Sequence, residues 1–174
     1  MRKIVVGVSL AFLIGSPAAS QTPRWNNLQL SGQGAAIETP VELVKQPVQQ
    51  VPKGQIAPQG WAGKSVDGSI SYMFTVTTIP PDAPFYGWSD IELAQGTANS
   101  VAGASTLLSR KMIKENGADG ADISIVHPNG MPMRMTVIAR KPRVYSLTIA
   151  VPPGREAELQ SDVSERFLGS LKLQ

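Results

Sequence analysis

The stretch ADISIVHPNGMPMRMTVIARKPRVYSLTIAVPPG, residues 121–154, decides the fold. Ile123, Ile125 and His127 fall on one side of an extended chain, and Pro128-Asn129-Gly130 then breaks it as a turn. Met131 to Ala139 resumes the extended pattern, and Arg140-Lys141-Pro142 turns the chain again. Tyr145, Leu147, Ile149 and Val151 line one face of a third strand before Pro152-Pro153-Gly154 ends it. Side chains of a strand alternate from face to face, so this period of two predicts an antiparallel meander.

Working upstream, Ile70, Tyr72, Phe74 and Val76 alternate with smaller or polar residues and predict another strand. Ser89-Asp90-Ile91-Glu92 has the form of a capping box, and Ile91, Ala94, Ala98, Val101, Leu108 and Met112 follow at helical steps. The spacing predicts one long helix, with Lys111 and Lys114 in its last turn and Asn116-Gly117 as its stop. Gly96 and Gly103 share one side of that helix and predict close packing against a sheet. Downstream, Leu159, Val163 and Phe167 predict a final helix, and Leu171 to Leu173 a short returning strand. Leu108, Tyr145, Leu147, Ile149, Val163 and Phe167 are the expected core. Nearer the start, Leu28 and Leu30 alternate, Ser31 to Gly34 reads as flexible, and Val41 to Val44 reads as a short strand. Residues 45–64, with Pro47, Pro52 and Pro58 among several glutamines, read as irregular. Helices on both sides of a meander in sequence give the α+β class.

Residues 1–20 have the three parts of an export signal: cationic Arg2-Lys3, an apolar run from Ile4 to Ile14, and small residues at Ala18-Ala19-Ser20. The run is too short to span a membrane. Cleavage is expected before Gln21, leaving residues 21–174 as a single domain, with the part up to residue 65 irregular, and no transmembrane segment. Arg2 and Lys3 leave with the signal, so 16 basic residues against 13 acidic become almost balanced, and a nucleic-acid partner is not expected. The absence of cysteine excludes disulfides, a thiol nucleophile and thiolate metal sites.

Catalytic patterns fail on inspection. Gly63-Lys64-Ser65 matches the end of a phosphate-binding loop, but Pro58 stands where that loop needs glycine. His127 is the only histidine and has no activated serine motif to serve. Asp119 and Asp122 lack the spaced oxygen ligands of a calcium loop. No catalytic residue and no cofactor is assigned. Met131, Met133 and Met135 share one side of a strand, with His127 across the turn, and thioethers suit cuprous copper. Methionine also fills irregular core space, and that is the plainer reading. Between Asp122 and Glu156 there is no acidic residue, whereas Arg134, Arg140, Lys141, Arg143 and Arg155 fall there. Arg134, Arg140, Lys141 and Arg143 are therefore partner-binding candidates, unless Glu156, Glu158, Asp162 and Glu165 of the last helix neutralise them.

Gly117-Ala118-Asp119-Gly120 leading into a strand, then Arg143-Val144-Tyr145-Ser146-Leu147, then a helix closing on Phe167-Leu168-Gly169-Ser170-Leu171, resembles the PsbP-like family of photosystem II extrinsic P subunits and their bacterial relatives. The resemblance covers Gly117 to Leu173, with Leu171 where an aromatic is common. It implies an antiparallel sheet with helices on its faces, an α/β/α sandwich, and a scaffold that assists partner assemblies. The expected function is therefore a non-enzymatic accessory or scaffold protein, secreted or periplasmic, that binds a protein partner or an envelope component. The alternative is a small-ligand or cuprous-copper carrier using Met131, Met133, Met135 and His127.

Overall fold

In chain order the elements are β1 (Asn26–Leu30), β2 (Ala35–Thr39), β3 (Val44–Lys45), β4 (Gln59–Lys64), β5 (Ser71–Thr78), α1 (Asp90–Ala102), β6 (Thr106–Glu115), β7 (Ala118–Val126), β8 (Pro132–Arg140), β9 (Arg143–Ala150), α2 (Asp162–Leu168) and β10 (Lys172–Leu173). They come from a computed structural model that describes residues 23–48, 56–103 and 105–174. The expected leader and its cleavage site lie outside the described residues, as does Pro52 of the glutamine-rich stretch.

The expected meander is present as β7, β8 and β9, all antiparallel. It forms the middle of a seven-stranded sheet in the order β3-β4-β5-β9-β8-β7-β6. A second, three-stranded sheet has the order β1-β2-β10, so the last strand pairs with one of the first. Antiparallel sheets with two helices make the class α+β, as the sequence predicts.

Alternation along β9 explains how both faces of the large sheet are covered. Val144 packs with Ile123, Met135, Val137 and the apolar side of α1 (Leu93, Ala94 and Ala98). Tyr145, Leu147 and Ile149 point the other way, into a cluster with Phe74, Ile37 of β2, Phe167 of α2 and Leu171. The second face is fastened by polar bonds as well. Tyr145 Oη donates to the Gln33 carbonyl at 2.9 Å, and the Asn116 amide donates to the Leu171 carbonyl at 2.7 Å.

Several expectations are corrected. The helix ends at Ala102, and residues 106–115 form strand β6 on the sheet edge, so Leu108 is 59% exposed rather than core. Lys111 and Lys114 accordingly lie on a strand, outside any helix turn. Asn116-Gly117 is a hairpin turn: both residues have positive φ (50° and 79°), the backbone that a two-residue turn between twisted strands requires. The final helix is split, because Ser161 caps a fresh start at Asp162 by accepting the Ser164 N–H. Leu159 stays in a preceding 3-10 turn, Glu156–Gln160, and Val163 is only half-buried. The part up to residue 65, expected to be irregular, contains β1, β2 and β4, and Trp61 of β4 packs on Phe74 with ring centroids 5.7 Å apart.

Candidate partner-binding site

The structure separates the residues that the sequence nominates. His127 and Met131 close the β7–β8 hairpin, with the His127 N–H donating to the Met131 carbonyl at 2.9 Å. Met133 lies opposite Ile125, and Met135 opposite Ile123, so all three methionines share the α1-facing side with His127. Met135, however, is 7% exposed and packed under α1. Met131 and Met133 are half-buried and His127 is exposed. Only the outer half of the row is therefore open to a soft metal ion, and among the described residues no three His, Cys, Asp or Glu side chains come together as a metal set.

The basic residues also divide. Arg134 points to the opposite face, where its Nε donates to Asp122 at 3.1 Å and its Nη1 to the Leu159 carbonyl at 3.1 Å. Its Nη2 reaches Asp122 at 2.7 Å, and Glu165 completes the pairing. These bonds, Asp122's first, hold the guanidinium still more firmly in its charged form. Arg155 pairs with Asp67 at 2.9 Å and Glu158 at 3.1 Å. Asp122 and Glu165 thus pair with Arg134, and Asp67 and Glu158 with Arg155.

Arg140, Lys141 and Arg143 are left at the β8–β9 turn. Arg140 and Arg143 are direct register partners, and among the described residues neither has a carboxylate within ion-pair distance. Like charges set opposite each other across two strands repel. Arg143 Nη2 donates to the Gly32 carbonyl at 3.3 Å, while its Nε is buried with no hydrogen-bond partner among the described residues. The Lys141 N–H donates to Asp90 at 3.1 Å, and its Nζ to the Tyr86 carbonyl at 3.3 Å, 6.0 Å from the Tyr86 ring centre.

That last contact brings in a segment the sequence did not nominate. Residues 80–88 cross this end of the sheet in successive turns, Ala83 to Pro80, Tyr86 to Ala83 and Trp88 to Phe85. Three prolines, Pro80, Pro81 and Pro84, favour that irregular path. The segment leaves Tyr86 39% and Trp88 44% exposed, with Ile91 of α1 at 41% beside them in the chain. A Cβ on Gly96 would lie 2.7 Å from the Trp88 ring, so that glycine packs on the indole, which corrects the expectation that it packs on the sheet. Between this loop and α1 lies a groove of about 480 Å³, lined by Phe85, Trp88, Leu93, Val101 and Val144, with Thr77, Thr97 and Ser100 supplying hydroxyls. This end of the molecule offers the Lys141 ammonium beside an aromatic shelf, while alternation puts the Arg140 and Arg143 guanidiniums on the opposite face, with Tyr145. His127 lies a whole strand length away, at the far end of β8. The available signal for the shelf was the cluster of three aromatics between Pro84 and Ser89.

No family model matches the chain, and no curated protein sequence matches it. Among solved structures it is similar to the solution structure of cyanobacterial PsbP from Synechocystis sp. PCC 6803, with a TM-score of 0.60 at 10% identity, covering 92% of this chain and 99% of that one. Likeness to a Pseudomonas aeruginosa protein of unknown function is weaker: the TM-score is 0.42 at 16% identity, over 78% of this chain and 88% of that one. A Bacteroides thetaiotaomicron protein gives 0.38 at 12% identity, over 81% of this chain and 45% of that one. Among the described residues no helix is long and apolar enough to cross a membrane. The meander, the helices and the closing strand, matched over nearly the full length of both chains, give this protein the PsbP-like fold.

Proposed function

We propose that the protein is a non-enzymatic accessory or scaffold protein that works outside the cytoplasm and holds an acidic protein partner at the β8–β9 end of its large sheet. The observation that carries this reading is the facing pair Arg140 and Arg143, with no acid in ion-pair reach among the described residues, joined through Lys141 to the loop that exposes Tyr86 and Trp88. A carboxylate-bearing surface would relieve the repulsion within the pair, and aromatic side chains supply contact area at small entropic cost. Affinity capture from the periplasmic fraction of the source cell tests the reading. Arg140→Glu with Lys141→Glu should lose the protein that the parent recovers, while Lys64→Glu, a charge change on β4, should retain it. Equal recovery by all three would sink the proposal. Addition of anionic lipid vesicles decides whether the envelope itself is the ligand: a vesicle interaction that is lost in the double variant, with no protein captured, also overturns the reading.

Export is part of the same proposal. Mass spectrometry of the exported protein should find a chain that starts at Gln21, and an intact Met1 in the membrane fraction would overturn the localisation.

A further inference from the structure

The large sheet ends differently on its two sides. Its β3 edge is two residues long, whereas its β6 edge runs for ten. Natural sheets shorten, cover or bend their edges, because an open edge recruits another strand. In β6 the one irregularity lies at Leu108, between Leu107 and Ser109. From Ser109 to Glu115 the register with β7 is unbroken, and no element among the described residues pairs with the outer side. In an antiparallel ladder alternate residues turn their N–H and C=O groups outward, so this edge presents a ready row of donors and acceptors.

The side chains say which strand would fit. Arg110, Met112 and Lys114 share the α1-facing side, and Lys111 and Ile113 share the other. Among the described residues Arg110, Lys111 and Lys114 have no ion pair, and Glu115 is the one acid on the strand. A second copy offers fewer acids than the edge has cations: twofold pairing centred on Met112 sets Arg110 against Lys114, centring on Lys111 sets that cation against itself, and centring on Ile113 matches Lys111 with Glu115 but gives Arg110 and Lys114 no acid. A strand from a different protein avoids this if its acids lie opposite the cations.

We propose that β6 docks an extended acidic segment of another protein by strand addition, main-chain bonds supplying affinity and alternate side chains supplying register. The proposal goes beyond the β8–β9 site and stands without it. Run antiparallel, the segment places acids opposite Arg110, Lys111 and Lys114 and apolar residues opposite Met112 and Ile113. The peptide Thr-Glu-Val-Val-Glu-Glu-Thr, capped at both ends, has that order.

Titration of the full chain with this peptide, followed by amide NMR, tests the proposal. Shifts and slowed amide exchange are expected along Ser109 to Glu115. Two versions N-methylated on one or the other set of alternate residues should differ at least tenfold, because only one set faces β6. Arg110→Glu with Lys114→Glu should weaken the acidic peptide at least tenfold and favour one carrying lysine in place of glutamate. Equal binding of both N-methylated versions would reduce the effect to charge alone and overturn strand addition. Shifts confined to residues 140–143 would overturn it as well, as would a β6-dependent dimer by sedimentation that the peptide does not disturb.

Discussion

Gly63 shows what a near-motif can mean at the scale of one residue. It sits in β4, and a Cβ there would lie 2.3 Å from the Glu42 carbonyl oxygen and 2.9 Å from a Val41 methyl. The glycine lets the backbone of residues 41–43 pass against the strand, which accounts for it without any phosphate. Gly63→Ala should displace that backbone and cost about 1–3 kcal/mol, as overpacking does; an unchanged urea midpoint would contradict the close approach. Asp67 gives a second test. Its carboxylate accepts from the Ser65 hydroxyl, from the Ser69 N–H at 3.1 Å and hydroxyl at 2.7 Å, and from Arg155 at 2.9 Å. These bonds, led by the Ser65 hydroxyl, hold its pKa well below the usual carboxylate range. A pKa lowered on folding contributes stability that is present above the unfolded value, near 4, and is lost as pH falls below it. Asp67→Asn should therefore be less stable than the parent at pH 7, with the gap narrowing towards pH 2.5. A gap that stays constant across that range would exclude the linkage.

Elements differ in how openly they are written. The side chain of Phe167 is fully buried and meets the Tyr72 ring edge-on at 5.3 Å, so α2 hangs on it. Phe167→Ala should cost about 3–5 kcal/mol, measured by urea denaturation, and a midpoint equal to the parent's would show α2 undocked. β7, β8 and β9 were legible because large apolar side chains alternate along them with smaller or polar ones, as Tyr145, Leu147 and Ile149 do with Ser146 and Thr148. β6 has no buried face over most of its length. Its bulge at Leu108 breaks the alternation, and Leu108 and Met112 then fall by coincidence at a helical step after Val101. Asn116-Gly117 favours a helix stop and a tight hairpin for the same reason, tolerance of positive φ, so sequence alone could not choose. β2 and β4 were missed because Ala35, Ala36, Gly60 and Gly63 carry little strand signal, although Ile37 and Trp61 are buried. At the candidate site, the acid-free run marked Arg140, Lys141 and Arg143, and the structure alone showed that Arg134 and Arg155 are neutralised. Tyr86 and Trp88 join the site only through tertiary contact, the Lys141 Nζ bond to the Tyr86 carbonyl.

For the whole molecule, the smaller sheet holds both ends of the described chain. Arg166 donates to Glu38 at 2.8 Å while lying 4.0 Å over the Trp25 ring, and Lys172 reaches the same carboxylate at 3.5 Å. Arg166, followed by Lys172, keeps the Glu38 carboxyl below its ordinary range, so this clasp loosens as pH falls through the acid region. Ala35 and Ala36 pair with Leu173 and Lys172, and the Gln174 N–H donates to the Gly34 carbonyl at 3.0 Å. The pairing has a consequence in time. A ribosome makes residues 35–37 well before residues 171–173, so a nascent chain carries half of this clasp for more than 130 residues with nothing to close it. Contacts between such distant residues form late, because the intervening loop must first be brought together. The cluster around Ile37, Phe74 and Phe167 closes only once residues 167–173 have emerged, and until then any carrier of the nascent protein handles an open chain.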